Sequence, residues 1–199
     1  MKRVRFSTER LLLRDLPPAA AGRVARFHTE NWHFHRPWEP LRHNDYFTER
    51  LQRHLLRQER RSDAIVHLWM LVDERSAGGT PRGVWRGSTI IGSITLSSIV
   101  RGFFQSCYLG YKMDSRYTRR GYMREALEGV IAHAFGPLGL HRLEANVMPR
   151  NLPSLELLRS LGFSEEGLGR EYLQIQGTWE DHLRMTLIDP RSRKNAARS

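Results

Sequence analysis

The chain is short of several things, and each shortage narrows what it can be. It has one cysteine, Cys107, in 199 residues, so no internal disulfide can form and a reducing compartment is expected. No apolar run approaches the roughly 20 residues that a membrane-spanning helix needs. The basic start Met1-Lys2-Arg3-Val4-Arg5-Phe6 leads into Ser7-Thr8-Glu9-Arg10, without the apolar stretch of a secretory signal. A cytoplasmic protein with no membrane contact is therefore expected. The nine histidines fall at no metal-ligand spacing, and His33 and His35 beside Trp32 read as a polar helix end, so no metal is expected. Acids are also scarce: 21 Asp plus Glu stand against 32 Lys plus Arg, a formal net charge of +11. Such a field favours polyanionic partners, namely nucleic acid, ribosomes or phosphorylated small molecules.

What is present is ordinary for a soluble globular protein, with 40% hydrophobic and 27% charged residues. The length suits one domain with a real core. We expect that domain over residues 1–189 and a basic, disordered tail over 190–199, because Arg191 to Arg198 shows no apolar periodicity. Arg10-Leu11-Leu12-Leu13-Arg14 reads as a first strand. Pro17 and Pro18 open a helix running to about Asn31. Arg36-Pro37-Trp38-Glu39-Pro40 breaks into a loop. A second helix covers about Tyr46 to Arg60, with Phe47, Leu51, Leu55 and Gln58 on one face. Ile65 to Val72 is a strand, and Gly78 to Gly83 a flexible loop. Thr89–Ile99 and Phe104–Met113 read as a hairpin through Arg101-Gly102.

A basic turn, Arg119-Arg120-Gly121, then opens an amphipathic helix reaching Phe135, with Met123, Leu127, Val130, Ile131 and Ala134 on its apolar face. A helix N-terminus offers unpaired N–H groups and partial positive charge. With Arg119, Arg120 and Arg124 gathered there, the segment reads as an anion site. His141 to Val147 is a strand. Asn151 caps a helix striped by Leu155, Leu158 and Leu161, which Gly162 ends in a left-handed cap with Phe163 folded back. Glu171–Gln176 and Trp179–Ile188 form a closing strand pair. The inventory is a mixed α/β domain around one sheet.

In that order the pieces resemble the GNAT acetyltransferases, and more closely the bacterial ribosomal-protein-alanine N-acetyltransferases. The resemblance runs from Thr8 to about Asp189. It rests on Arg36-Pro37-Trp38-Glu39-Pro40, Tyr108-Leu109-Gly110-Tyr111, Gly121 to Leu127, Asn151-Leu152-Pro153-Ser154 with Leu161-Gly162-Phe163, and Trp179-Glu180-Asp181-His182. It implies a GNAT-like, mostly antiparallel sheet with splayed central strands and flanking helices. It also implies acetyl transfer from acetyl-CoA to an amine, with a ribosomal-protein N-terminus as acceptor. Ribosomal RNA is a further expected partner through the basic surface.

The resemblance assigns the CoA pyrophosphate to backbone amides of Arg119, Arg120, Gly121, Tyr122, Met123 and Arg124. The family's glycine pattern falls on Thr118, Gly121 and Met123, so only its middle glycine is kept, and Arg119 stands where many relatives carry glycine. Backbone of Tyr111 and Met113 is expected beside the thioester, while the side chains of Tyr108, Leu109 and Tyr111 read as β-forming core. Asn151 is placed against the CoA arm and Ser154 near its sulfur, where a hydroxyl can protonate the leaving thiolate. Glu144 is the first choice of base, through water, and Asp181 with His182 the second. Trp38 and Glu39 are expected to receive the acceptor, and Glu39 to pair with its ammonium. Glu125 is expected to hold helix to loop, and Cys107 to be a buried strand cysteine. The competing expectations are a small amine or peptide antibiotic as acceptor, or a non-catalytic ribosome-binding assembly factor.

Overall fold

The computed structural model describes residues 4–72 and 87–192. The expected loop Gly78–Gly83 and most of the expected tail lie outside the described residues. Twelve elements matter here: β1 (Arg5–Ser7), β2 (Leu12–Arg14), α1 (Ala21–His35), α2 (Glu49–Glu59), β3 (Val66–Val72), β4 (Thr89–Val100), β5 (Ser106–Met113), α3 (Tyr122–Phe135), β6 (Arg142–Val147), α4 (Leu152–Ser160), β7 (Ser164–Ile175) and β8 (Thr178–Ile188). Among the described residues the strands form one eight-stranded sheet in the order β1-β2-β3-β4-β5-β6-β8-β7. Every neighbouring pair is antiparallel except β5–β6, which is parallel.

Strand alternation divides the apolar residues between two cores. Leu11, Leu13, Leu68 and Met70 join the helices α3 and α4 on one face. Leu12, Trp69 and Leu71 turn to the other, where Val24 and Phe27 of α1 and Leu56 of α2 cover them. Side chains at successive strand positions point to opposite faces, so a run such as Leu11-Leu12-Leu13 feeds both layers.

Several boundaries differ from the sequence reading. The first helix continues past Asn31 to His35, because Asn31 is not an end. Its side chain donates to the Phe27 carbonyl at 3.1 Å and accepts from the Ser115 amide at 3.0 Å, tying α1 to the turn beyond β5. The second helix starts at Glu49, since Thr48 takes the extended N-cap conformation and accepts from the Leu51 amide. Its buried residues are Gln52 and Leu56; Gln58 is exposed, which corrects the expected face. β7 begins seven residues before Glu171, at Ser164. Two register shifts break its pairing with β8, and these irregularities hide the alternation that marks a strand.

Candidate active site

β5 and β6 pair only at Ser106↔Arg142, Cys107↔Leu143 and Tyr108↔Glu144. Both strands continue, β5 to Met113 and β6 to Val147, so beyond Tyr108 they part and open a slot through the sheet. The Asp114 amide donates to the Ile91 carbonyl, and the register runs Gly92↔Met113 and Ile94↔Tyr111. Antiparallel alternation then turns the backbone groups of Tyr111 and Met113 away from β4, into the slot. His35 Nε2–H donates to the Met113 carbonyl at 2.7 Å. Burial lowers the His35 pKa, which suits a neutral ring. The expectation of a polar helix end is corrected for His35, which is buried and reaches the mouth of the slot.

The turn after β5 is shaped for an anion. Arg119 and Gly121 both have positive φ, at 58° and 78°, and Gly121 is the left-handed N-cap of α3. The first amides of α3 therefore lack helical partners and face outward from the turn. A residue the sequence reading missed braces this turn: Arg10 donates to the Arg120 carbonyl at 3.0 Å and stacks 4.4 Å from the Tyr122 ring. Its amide and Nε both donate to Glu125, at 2.7 and 2.6 Å, and Thr8 Oγ1 donates to the same carboxylate. Burial works against the Glu125 charge, but these donors outweigh it and hold the carboxyl below its ordinary range. The structural role expected of Glu125 is what this geometry describes. Arg124, by contrast, reaches α4 and not the turn, donating to Ser160 Oγ at 2.9 Å and pairing with Glu128 at 3.1 Å. Arg119 and Arg120 are exposed at the turn.

On the α4 side of the slot, Asn151 caps its helix, accepting from the Ser154 amide at 3.3 Å. Ser154 Oγ meets the Tyr111 hydroxyl at 2.6 Å. Burial pushes the Tyr111 phenol up to about 12, so it keeps its proton. The Tyr111 side chain is thus hydrogen-bonded to Ser154 as well as packed against the core. Gly162 at φ 87° closes α4, with Gly162 N–H on Arg159 and Phe163 N–H on Leu158, the paired bonds of a Schellman end.

The opposite face carries Tyr108, Glu144, Asn146 and His182. Glu144 accepts from Arg142 Nε at 2.8 Å, and Arg142 also holds Glu166. His182 is 2% exposed and its Nδ1–H donates to the Glu180 carbonyl at 2.9 Å, which leaves the lone pair on Nε2. Asp181 accepts from the Glu171 amide at 2.8 Å, so the hairpin irregularity already engages it. Glu39 is likewise engaged. Lys112 and Arg42 both donate to it, and although burial opposes its charge, these cations hold its pKa below the ordinary value. That departs from the expectation of a carboxylate waiting for an ammonium. Trp38 lies 5.6 Å from the Arg150 guanidinium, which binds Glu180 at 2.6 Å. The Gln176 side chain donates to the Glu39 carbonyl at 3.0 Å, so the Arg36–Pro40 loop and the β7–β8 hairpin meet at one mouth. Cys107 is buried, and burial pushes its thiol up to about 12, which removes it as a nucleophile. A separate cleft of about 430 Å³, lined by Asp15, Arg57, Arg60 and His67 among others, holds none of these residues.

A slot between two parting parallel strands, ending at a left-handed glycine and a helix N-terminus, fits an extended thioester arm carrying a pyrophosphate. The Acetyltransferase (GNAT) domain family matches residues 10–164. The chain belongs to the GNAT acetyltransferases. As such it is an acetyl-CoA-dependent N-acetyltransferase. It is 35% identical to the [Ribosomal protein uS5]-alanine N-acetyltransferase of Escherichia coli over 94% of this chain and 92% of that protein. It is 31% identical to the Probable N-acetyltransferase YjcK of Bacillus subtilis over 90% of this chain and 94% of that protein. Among solved structures, the ribosomal-protein-S5-alanine acetyltransferase of Vibrio fischeri superimposes with a TM-score of 0.83 at 30% identity, covering 94% of this acetyltransferase and 97% of that chain. RimJ of Mycobacterium smegmatis, in complex with CoA-disulfide, gives 0.82 at 25% identity, covering 97% and 93%.

Proposed function

We propose that this acetyltransferase moves the acetyl group of acetyl-CoA to the N-terminal α-amino group of a ribosomal protein. The observation that carries the reading is the near full-length likeness to enzymes whose names state that acceptor. The slot gives it a geometry. A thioester lying in the gap exposes one side to the face of Glu144 and His182, and the other to Ser154 and Tyr111 on the α4 side. The amine attacks from the first side, and the sulfur departs toward the second.

Met113 N–H faces the slot and serves the arm or the carbonyl oxygen as charge grows there, while His35 keeps the Met113 carbonyl engaged. Ser154 gives the thiolate a proton, and Tyr111 donates to Ser154 Oγ, turning the serine hydroxyl outward. Glu144, held in place by Arg142, takes the amine's proton through water. His182 Nε2 is the alternative, and it is better placed than Asp181. The pyrophosphate lies on the amides from Arg119 to Arg124, with Arg119 and Arg120 adding charge and Asn151 closing on the arm. Trp38 lines the acceptor mouth beside the Glu39–Lys112 pair. The site of action is the cytoplasm.

Steady-state acetylation of a peptide with a small N-terminal residue, set beside a polyamine and an aminoglycoside, tests the acceptor. Preference for the peptide by at least tenfold in kcat/KM is expected. Preference for either small amine would replace this reading with the competing one.

A further inference from the structure

β6 carries a polar group for which the described residues supply no partner. Its burial alternates strictly, with Leu143, Ala145 and Val147 in the core against α3 and α4. Glu144 and Asn146 therefore lie on the opposite, acceptor face. Glu144 pairs with Tyr108 at the closed end of the slot. Asn146 comes two residues later, where β5 has left and only β8 remains, through Arg184. Unlike Glu144, which Arg142 holds, the Asn146 side-chain oxygen is out of water and has no hydrogen-bond partner among the described residues.

A buried acceptor without a donor is costly in a folded protein, and one that persists needs an explanation. Here its position provides one. The strand edge beside it is the edge that the thioester occupies, and the face it lies on is the one that an amine must cross to reach the acyl carbon.

We propose that Asn146 is an acceptor-binding residue whose side-chain carbonyl oxygen takes a hydrogen bond from the N–H of the attacking amine. A neutral primary amine has two N–H groups and one lone pair. One N–H held by Asn146 turns the lone pair toward the thioester carbon. The new N–C bond forms, the C–S bond breaks on collapse, the amine's surplus proton passes to the base through water, and the thiolate is protonated from the Ser154 side. Asn146 itself gains no proton, because an amide oxygen is too weak a base. An ammonium would bond to the same oxygen and then lose its proton in place. The inference deepens the acceptor reading and rests on an amine entering from this face, whichever molecule bears it.

The test uses Asn146→Leu, which removes the acceptor at similar size, and Asn146→Asp, which keeps an oxygen there. Melting temperature, acetyl-CoA affinity by calorimetry, and kcat/KM for the N-terminal peptide are measured on each. For Asn146→Leu we expect an unchanged or higher melting temperature, unchanged acetyl-CoA affinity, and a loss of about tenfold or more in kcat/KM, as for one lost hydrogen bond. Asn146→Asp should retain most of the rate. Full activity in Asn146→Leu overturns the proposal. So does a matching loss of acetyl-CoA affinity, which would assign the oxygen to the pantetheine arm, or a lowered melting temperature that accounts for the lost rate. If the wild-type enzyme acetylates only a small amine, the ribosomal acceptor fails, and the same variants measured on that amine still decide the role of Asn146.

Discussion

Tyr111 and Ser154 face each other at 2.6 Å, and burial keeps the phenol protonated. With the phenol as donor in this bond, Ser154 Oγ accepts from Tyr111 and its own O–H remains for the departing sulfur. Tyr111→Phe should therefore lower kcat by about three- to tenfold while leaving acetyl-CoA affinity within about twofold. Ser154→Ala should lower kcat further, though modestly, since water can enter. Equal loss of affinity and rate in Tyr111→Phe would make the phenol a packing group. The Asn151 cap was legible in the sequence because a cap and the residue three positions on are local facts, while the roles of Asn151 and Ser154 at the arm and sulfur came from the family resemblance. His35, Arg10 and the side chain of Tyr111 were not legible. Their partners stand 78, 110 and 43 positions away, and no periodicity carries such pairings.

The basic turn was readable as an element, since strand, arginines, glycine and apolar stripe follow one another directly. What the sequence could not give is what stiffens it. Glu125 gathers Thr8 and Arg10, and Arg10 reaches back to the Arg120 carbonyl, so the β1–β2 loop sets the shape of a turn over a hundred residues away. Glu125→Ala strands partly buried donors. It should destabilise the fold by about 1–3 kcal/mol and weaken acetyl-CoA binding, with Arg10→Ala weakening binding in the same direction. Calorimetry on both variants checks this; unaltered affinity in both would mean that the turn holds its shape alone. Gly121→Asp acts on the same element by two routes. It puts a side chain at φ 78°, 3.2 Å from Arg10, and a carboxylate against the pyrophosphate. Its acetyl-CoA affinity should fall at least tenfold. The two β7 irregularities are hidden for a different reason: each puts the strand out of step with β8, one of them beside Gly169, where a Cβ would come within 2.8 Å of the Tyr172 ring three residues on.

Across the whole molecule, two forms of charge balance separate. Inside, His28 is buried neutral, its pKa pushed by burial to about 2 from 6.5. Below pH 6.5 the unfolded chain takes up a proton that the folded chain refuses. Stability is thus complete above that pH and falls as pH drops toward 2, by about 2 kcal/mol between pH 7 and 5 from this group. Denaturant unfolding at both pH values should show the loss, and His28→Leu should remove most of it; an identical pH slope in the variant would contradict the assignment. Outside, the net charge of +11 does not draw a basic ribosomal protein. We propose that it meets ribosomal RNA, so that acetylation of a ribosomal particle falls steeply with salt while that of the free peptide does not. Equal salt responses would remove the RNA. The central claim, acetyl transfer to a ribosomal-protein N-terminus, is tested most directly by incubating the enzyme with acetyl-CoA and a non-acetylated ribosomal extract, then measuring intact masses and N-terminal peptides. The account predicts one ribosomal protein heavier by a single acetyl group on its α-amine, appearing modestly more slowly with Ser154→Ala. No gain on any ribosomal protein, from an enzyme that binds acetyl-CoA and acetylates a small amine, would contradict it.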